Sequence, residues 1–227
     1  MKYRYDLHVH TKESSACARN TPAEMVDMYK SEGFTGIVLT EHFYHGNTSV
    51  PRDLEWTDWT EKFCQSFDHA KEHGDAVGLD VFFGWEYSYS GTDFVTLGLD
   101  KAWLIEHPEI RTLRVYDYLN LVHASGGYII HAHPYREAGY IPCIRLMPPY
   151  EDAVEVINAA RDDRCNKLAE LYASAYDKVM TAGSDAHSTE WKKLAGIETD
   201  HRLTGMDDLL SVLKNREHTL FVHNREV

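Results

Sequence analysis

This sequence predicts an α/β fold: a parallel sheet that closes, or nearly closes, on itself, with its chemistry at the carboxyl ends of the strands. Three observations predict it. Strand-length apolar runs alternate with helical stretches along the whole chain, with no linker, low-complexity tract or fixed-period repeat. Five of the runs end in histidine or acid: Asp6-Leu7-His8-Val9-His10, Thr40-Glu41-His42, Gly84-Trp85-Glu86, His131-Ala132-His133-Pro134 and Gly183-Ser184-Asp185-Ala186-His187. A barrel gathers all five ends into one bowl, whereas an open sheet brings together mainly the two strands at its switch point.

Taken in order, Tyr3 to Val9 reads as the first strand. Thr21-Pro22-Ala23-Glu24 has the form of a capping box, opening a helix that runs to about Glu32 with Gly33 as its stop. Thr35 to Thr40 is a buried strand, followed by a polar loop from Phe43 to Glu55 and a helix from Trp56 to about His73. Asp80 to Trp85 and Phe94 to Leu99 read as strands on either side of Tyr87-Ser88-Tyr89-Ser90-Gly91. Leu113 to Ala124 has helical spacing, is stopped by Gly126-Gly127, and leads into a strand from Tyr128 to His131. Later strands are expected at Val154–Asn158, Val179–Ala182 and Leu220–Val222, with helices near Asn166–Ala175 and Met206–Leu213.

The length of 227 residues suits one large domain, and 43% hydrophobic with 26% charged residues is ordinary for a globular protein. No apolar stretch is long enough to span a bilayer, and Met1 to Asp6 enters a strand directly, so neither a membrane segment nor a signal peptide is expected. Cys17, Cys64, Cys143 and Cys165 form no Cys-x-x-Cys pair, which predicts reduced thiols and a cytoplasmic location. The net charge of −13 argues against nucleic acid as a partner, because phosphate backbones are neutralised by basic surface. A small phosphorylated substrate stays compatible, since bound cations reverse the local sign.

His8 and His10, two apart on a strand, project to one face and can reach one ion. Glu86 supplies a carboxylate able to bridge two cations, and Asp185 and His187 repeat the same-face spacing beside Gly183. His133 stands before Pro134 at a strand end; His131, two residues earlier, should point the same way and ranks below it. Glu41 reads as a partner that orients an imidazole, and His45 lies near enough to His42 to contribute. The remaining histidines, His69, His73, His107, His201, His218 and His223, read as surface or packing residues.

Together and in this order, the five segments resemble the polymerase-and-histidinol-phosphatase (PHP) family over essentially the whole chain, so that residues 1–227 would form a single catalytic domain. The resemblance implies a distorted (β/α)7 barrel, TIM-barrel-like, with two or three divalent metal ions (zinc, manganese or iron) and hydrolysis of phosphate esters. It implies that His8 and His10 bind one metal with Glu86 and Asp185, that Glu86 bridges to a second held also by His133, and that His42 and His187 hold a third. Two places depart from the family's pattern. Ser14-Ser15 stand where many members carry an acid or histidine, with Glu13 and Cys17 as nearby substitutes, and Asp93 replaces a histidine as a candidate ligand.

The expected function is hydrolysis of a small phosphate monoester or diester by a metal-activated water. Arg136 and Arg19 are the leading phosphate clamps, with Arg145 and Lys12 behind them. Asp185 and His187 join them as catalytic candidates, with Asp185 or a metal-bound water as the proton donor to the leaving group. The competing readings are a metal-dependent amidohydrolase, disfavoured because Glu86 rather than a strand-end lysine fills the bridging role, and a non-catalytic metal-binding module, to which Ser15 points. The loops Phe43–Glu55 and Tyr135–Tyr150 should shape the pocket.

Overall fold

A computed structural model describes residues 2–226. Its sheet has nine strands: β1 (Tyr3–Val9), β2 (Gly36–His42), β3 (Asp80–Tyr89), β4 (Thr92–Leu97), β5 (Tyr128–Ala132), β6 (Ala153–Asn158), β7 (Val179–Gly183), β8 (Lys193–Thr199) and β9 (Thr219–Asn224). They lie in the order β7-β6-β5-β4-β3-β2-β1-β8-β9. The first seven curl into a barrel that nearly closes where β7 returns to β1. There Asp185 N donates to His8 O at 2.9 Å and His10 N to Ala186 O at 3.0 Å, and Val9 and Ala186 form a parallel bridge. The closure sits at the carboxyl ends of both strands, so it draws His8, His10 and Asp185 together.

Helices α1 (Pro22–Ser31), α2 (Trp56–Val77), α3 (Lys101–Glu106), α4 (Val115–Ala124), α5 (Asp163–Ala175) and α6 (Met206–Lys214) join the strands. The capping box at Thr21 and Glu24 forms as expected, and α2 runs on to a left-handed Gly78. Trp56, Trp59 and Phe63 of α2 and Tyr118, Leu119 and Val122 of α4 pack with Trp85, Phe94 and Ile129 of the sheet in one apolar cluster. Leu209, Leu210 and Leu213 of α6 join Leu7, Val38, Leu97 and Ile130 in another. Among the described residues no helix is long and apolar enough to cross a membrane.

The sheet is mixed, which corrects the expectation of a parallel one. β4 runs antiparallel to β3 and β5, and β8, which the sequence reading missed, runs antiparallel to β1. The β3–β4 reversal has a local cause: Ser90 (φ 49°) and Gly91 (φ 84°) make a two-residue hairpin turn with both residues left-handed. Because β4 runs backwards, its first residues lie at the carboxyl end of β3, and Asp93 is delivered to the same rim as Glu86.

Two register slips also sit at this rim. Asp6–Val9 of β1 is paired against the shorter Ile37–Leu39, and Glu155–Ile157 of β6 against Thr181–Ala182. Such bulges re-aim side chains beside functional sites. His133 (φ 30°), one residue past β5, and Asp185 (φ 51°), two past β7, adopt left-handed backbone. Non-glycine residues hold that conformation only when surrounding structure enforces it, and both of these belong to the rim.

Candidate metal centre

Seven strand ends converge. His8 Nε2 lies 3.4 Å from Glu86 Oε1 and 3.8 Å from Asp185 Oδ1, and His10 Nε2 lies 3.8 Å from Glu86 Oε2 and 3.4 Å from Asp185 Oδ1. His133 Nε2 lies 3.1 Å from Glu86 Oε1, 3.8 Å from Asp185 Oδ2 and 4.0 Å from Asp93 Oδ2. His42 Nδ1 contacts Glu86 Oε2, while its Nε2 faces His187 Nε2 at 3.4 Å. Three groups have ligand atoms all within 4.8 Å of one another: His8, His10 and Asp185; His8, Glu86 and His133; and His10, His42 and His187. Glu86 stands between the imidazoles of β1, β2 and β5.

The partners of the other ring nitrogens fix the tautomers. His8 Nδ1 meets the Glu155 carboxylate at 3.0 Å, and His187 Nδ1 meets the Asp185 carbonyl at 2.8 Å; both partners only accept. His10 Nδ1 meets Ser15 Oγ at 3.2 Å, and the Ser15 hydroxyl donates its own proton to Glu41, so here too the imidazole donates. In all three rings Nδ1 is the donating nitrogen, which leaves Nε2 as the atom able to turn a lone pair toward a cation, the arrangement metal-binding histidines require.

Two inward atoms lack hydrogen-bond partners: His8 Nε2 and His10 Nε2 are buried without one, whereas His42 Nδ1 and Glu86 Oε2 face each other. Leaving such groups unsatisfied costs about 1–3 kcal/mol each, and the cost falls away if they bind a cation. Glu86, Asp93, Glu155 and Asp185 are each at most 3% exposed, so the bowl gathers acid that needs positive charge. The mixed imidazole and carboxylate set suits zinc, manganese or iron.

Electrostatics carries the same imprint. Burial would raise Glu86 and Asp185, yet the surrounding imidazoles hold both well below the ordinary carboxylate range. Burial would lower His8 and His42, but adjacent carboxylates, Glu155 for His8 and Glu86 for His42, hold both well above the usual histidine value. Burial, then the positive neighbours His42 and His187, drive His10 the other way. Burial and the Glu86 charge push Asp93 up. Burial would raise the Cys17 thiol, but hydrogen bonds with His187 and His42 bring it down to about 6.

The sequence-predicted residues His8, His10, His42, Glu86, Asp93, His133, Asp185 and His187 all meet at this centre. Glu41 acts one step removed, accepting from Thr11 and from Ser15, and Ser15 in turn holds His10. Arg136 reaches the rim, its Nη2 3.0 Å from Asp93 Oδ2.

Other expectations are corrected. The Arg19 side chain is exposed and does not line the cavity above the centre; its backbone N–H instead donates to His187 O. Arg145 reaches the Ser90 carbonyl rather than the centre. His131 points away from His133: it binds Glu151 at 2.7 Å and lies against Phe94, because the left-handed turn at His133 breaks the strand alternation.

Sequence reasoning missed three residues. Glu155 holds both His8 Nδ1 and His133 N, Asn158 holds Glu155 at 2.8 Å, and Arg161 binds Asp185 Oδ2 at 3.0 Å. All come from β6 or the loop after it. The available signal was the barrel itself, whose sixth strand end should contribute like the others.

The cavity over the centre measures about 550 Å³ and is lined by His42, His45, Asp93, His133, Arg136, Tyr140, Arg161, Asp185 and His187, among others. Among solved structures, the chain is similar to a two-domain protein containing a predicted PHP-like metal-dependent phosphoesterase from Bacteroides vulgatus. The identity is 16% and the TM-score 0.74, over 97% of this chain and 65% of that one. This chain thus spans less than two thirds of that protein. PsfC from Pseudomonas syringae is similar at 17% identity and TM-score 0.65, covering 99% of this chain and 92% of that one. An amidohydrolase from Chromobacterium violaceum, solved with bound sulfate and no metal, is similar at 16% and 0.57, covering 81% and 87%. At these identities the likeness is one of fold. No curated protein matches. The PHP domain model matches residues 6–219, from the aspartate that opens the first motif to the start of β9. With that match running through every strand that builds the centre, the chain belongs to the PHP domain family.

Proposed function

We propose that this protein is a metal-dependent phosphoesterase acting on a small phosphate monoester or diester. One observation supports the reading: unpartnered, buried Nε2 atoms of His8 and His10 converge with the Glu86 carboxylate beneath a cavity flanked by two guanidinium groups. His8, His10, Glu86 and Asp185 would hold one ion, Glu86, His133 and Asp93 a second, and His42 and His187 a third. Divalent ions at such positions supply Lewis-acid polarisation of a phosphoryl oxygen and a water nucleophile near neutral pH.

The chain's own residues do the rest. Arg136 and Arg161 each spend one nitrogen on a centre carboxylate and keep a buried, unpartnered Nε. They are placed to grip phosphoryl oxygens and stabilise the charge that develops on them. Asp185, held ionised, accepts rather than donates, so it serves as ligand and as anchor for Arg161 in place of the expected proton donor. The cavity volume suits a small molecule, and the net charge of −13 supports exclusion of nucleic acid. The four free cysteines support a reducing, cytoplasmic setting.

The amidohydrolase relative gives a second reading some weight, but among the described residues no lysine lines the cavity and Glu86 occupies the bridging place. Parallel assays on phosphate monoesters, diesters, amides and lactones, before and after chelation, test the proposal. Expected is phosphoester turnover that chelation abolishes and divalent metal restores. Turnover of amides or lactones alone, or phosphoester turnover that survives full metal removal, would overturn it. Metal binding with no turnover on any substrate would favour the non-catalytic module.

A further inference from the structure

Cys17 lies in the loop between β1 and α1, and its thiol faces two imidazoles. Sγ is 3.1 Å from His42 Nε2, which is itself 3.4 Å from His187 Nε2. The loop is tied down on both sides of the cysteine: Ala16 N donates to Asn47 O at 2.9 Å, Ala18 N to Ser15 O at 3.1 Å and Arg19 N to His187 O at 2.8 Å. Ser15, the residue at the departure from the family's pattern, is already committed. It donates to Glu41 and accepts from His10 Nδ1 and His42 N, leaving its oxygen no role toward an ion.

A cysteine near two histidines becomes a site only if something else points to a ligand. Here His42 and His187 already belong, with the fully buried His10, to a group whose ligand atoms lie within 4.8 Å of one another, and the His10 ring centroid is 4.3 Å from those of both. His187 holds its proton on Nδ1, so its Nε2 lone pair faces His42 and the thiol. Zinc bonds of about 2.0 Å to nitrogen and 2.3 Å to sulfur imply ligand-to-ligand edges of about 3.3–3.6 Å in a tetrahedral site. The observed 3.1 and 3.4 Å separations reach those values with small shifts.

Resting on the metal-centre reading above, we propose that Cys17 is a thiolate ligand of the third ion, together with His42 and His187. Cys17, His42 and His187 all line the cavity, so a fourth ligand would come from that side. A thiolate makes this position selective for zinc or another borderline-to-soft ion over manganese or magnesium. The carboxylate-rich positions around Glu86, Asp93 and Asp185 keep a harder character, so the centre holds two chemically distinct kinds of site.

Cobalt(II) titration of the metal-stripped full chain tests this by absorption spectroscopy, with bound cobalt counted in parallel. Expected is a near-ultraviolet sulfur-to-cobalt charge-transfer band in the native protein, retained in Cys143→Ser and lost in Cys17→Ser, together with one cobalt fewer per chain in Cys17→Ser. Cobalt bound without that band, or with a band unchanged in Cys17→Ser, overturns the thiolate ligand and leaves the rest of the centre standing. A chain that binds no cobalt overturns both. As a second measure, alkylation of Cys17 by iodoacetamide, followed by mass spectrometry, is expected to slow sharply in saturating zinc while Cys143 reacts as before. Equal Cys17 rates with and without zinc would also overturn the inference.

Discussion

Replacing Glu155 by glutamine changes no shape and removes one acceptor, which makes it a sharp probe of the centre. Glu155 Oε1 accepts from His8 Nδ1 at 3.0 Å, while Oε2 accepts from both His133 N at 3.0 Å and Asn158 Nδ2 at 2.8 Å. A glutamine oxygen would stay with the two donors, so its NH2 would face the Nδ1–H of His8. Two donors cannot share a hydrogen bond, and His8 escapes only by moving its proton to Nε2, the atom that faces the proposed ions. Loss of such an orienting partner typically weakens metal binding about 10–100-fold, equivalent to about 1.4–2.7 kcal/mol. Zinc affinity of Glu155→Gln, measured by competition with a chromogenic chelator, should fall within that range, and phosphoester turnover at limiting metal should fall with it. Far-ultraviolet circular dichroism should match the native protein. Unchanged affinity with the fold intact would refute the tautomer argument.

Three further outcomes are expected. Gly183→Ala would bring a Cβ to 2.5 Å from His8 Cβ and 2.6 Å from Glu155 Oε1, so overpacking should lower stability by about 1–3 kcal/mol, a Tm fall of roughly 2–12 °C by calorimetry. An unchanged Tm would mean that β7 and β1 approach less closely than described. Metal loading should release protons. His8 and His42 lie well above the ordinary histidine value and hold protons near neutrality that an ion must displace, so affinity falls as pH falls. Calorimetry in buffers of different ionisation enthalpy should give different heats, and buffer-independent heat would contradict this. Arg161→Ala should keep its metal content yet lose about 10²–10³-fold in kcat/KM toward phosphoesters, read from steady-state kinetics. Full activity would remove Arg161 from the substrate.

The candidate ligands are legible because histidines and acids close apolar runs at strand ends, where a barrel collects them. Asp93 is legible as a candidate but not its route to the centre, since strand–helix alternation implies a parallel sheet while Ser90-Gly91 makes a hairpin that reverses β4. Glu155 escaped notice because one acid inside Ala-Val-Glu-Val-Ile looks like an ordinary strand residue, and only the bulge at that point turns it toward His8. His131 differs from expectation for the opposite reason: strand alternation predicts that it shares a face with His133, but the backbone leaves the β region at His133. β8 hid in Lys193–Thr199, whose Leu-Ala-Gly-Ile core has weak strand character and which lies beyond the last motif.

Anomalous diffraction from crystals of protein purified without chelator tests the central claim most directly, because it locates bound metal independently of activity. The predicted result is anomalous density among His8, His10, Glu86 and Asp185, with further density toward His133 and Asp93. Metal-replete crystals with no anomalous signal in this bowl, or with ions bound only at the outer surface, would contradict the account.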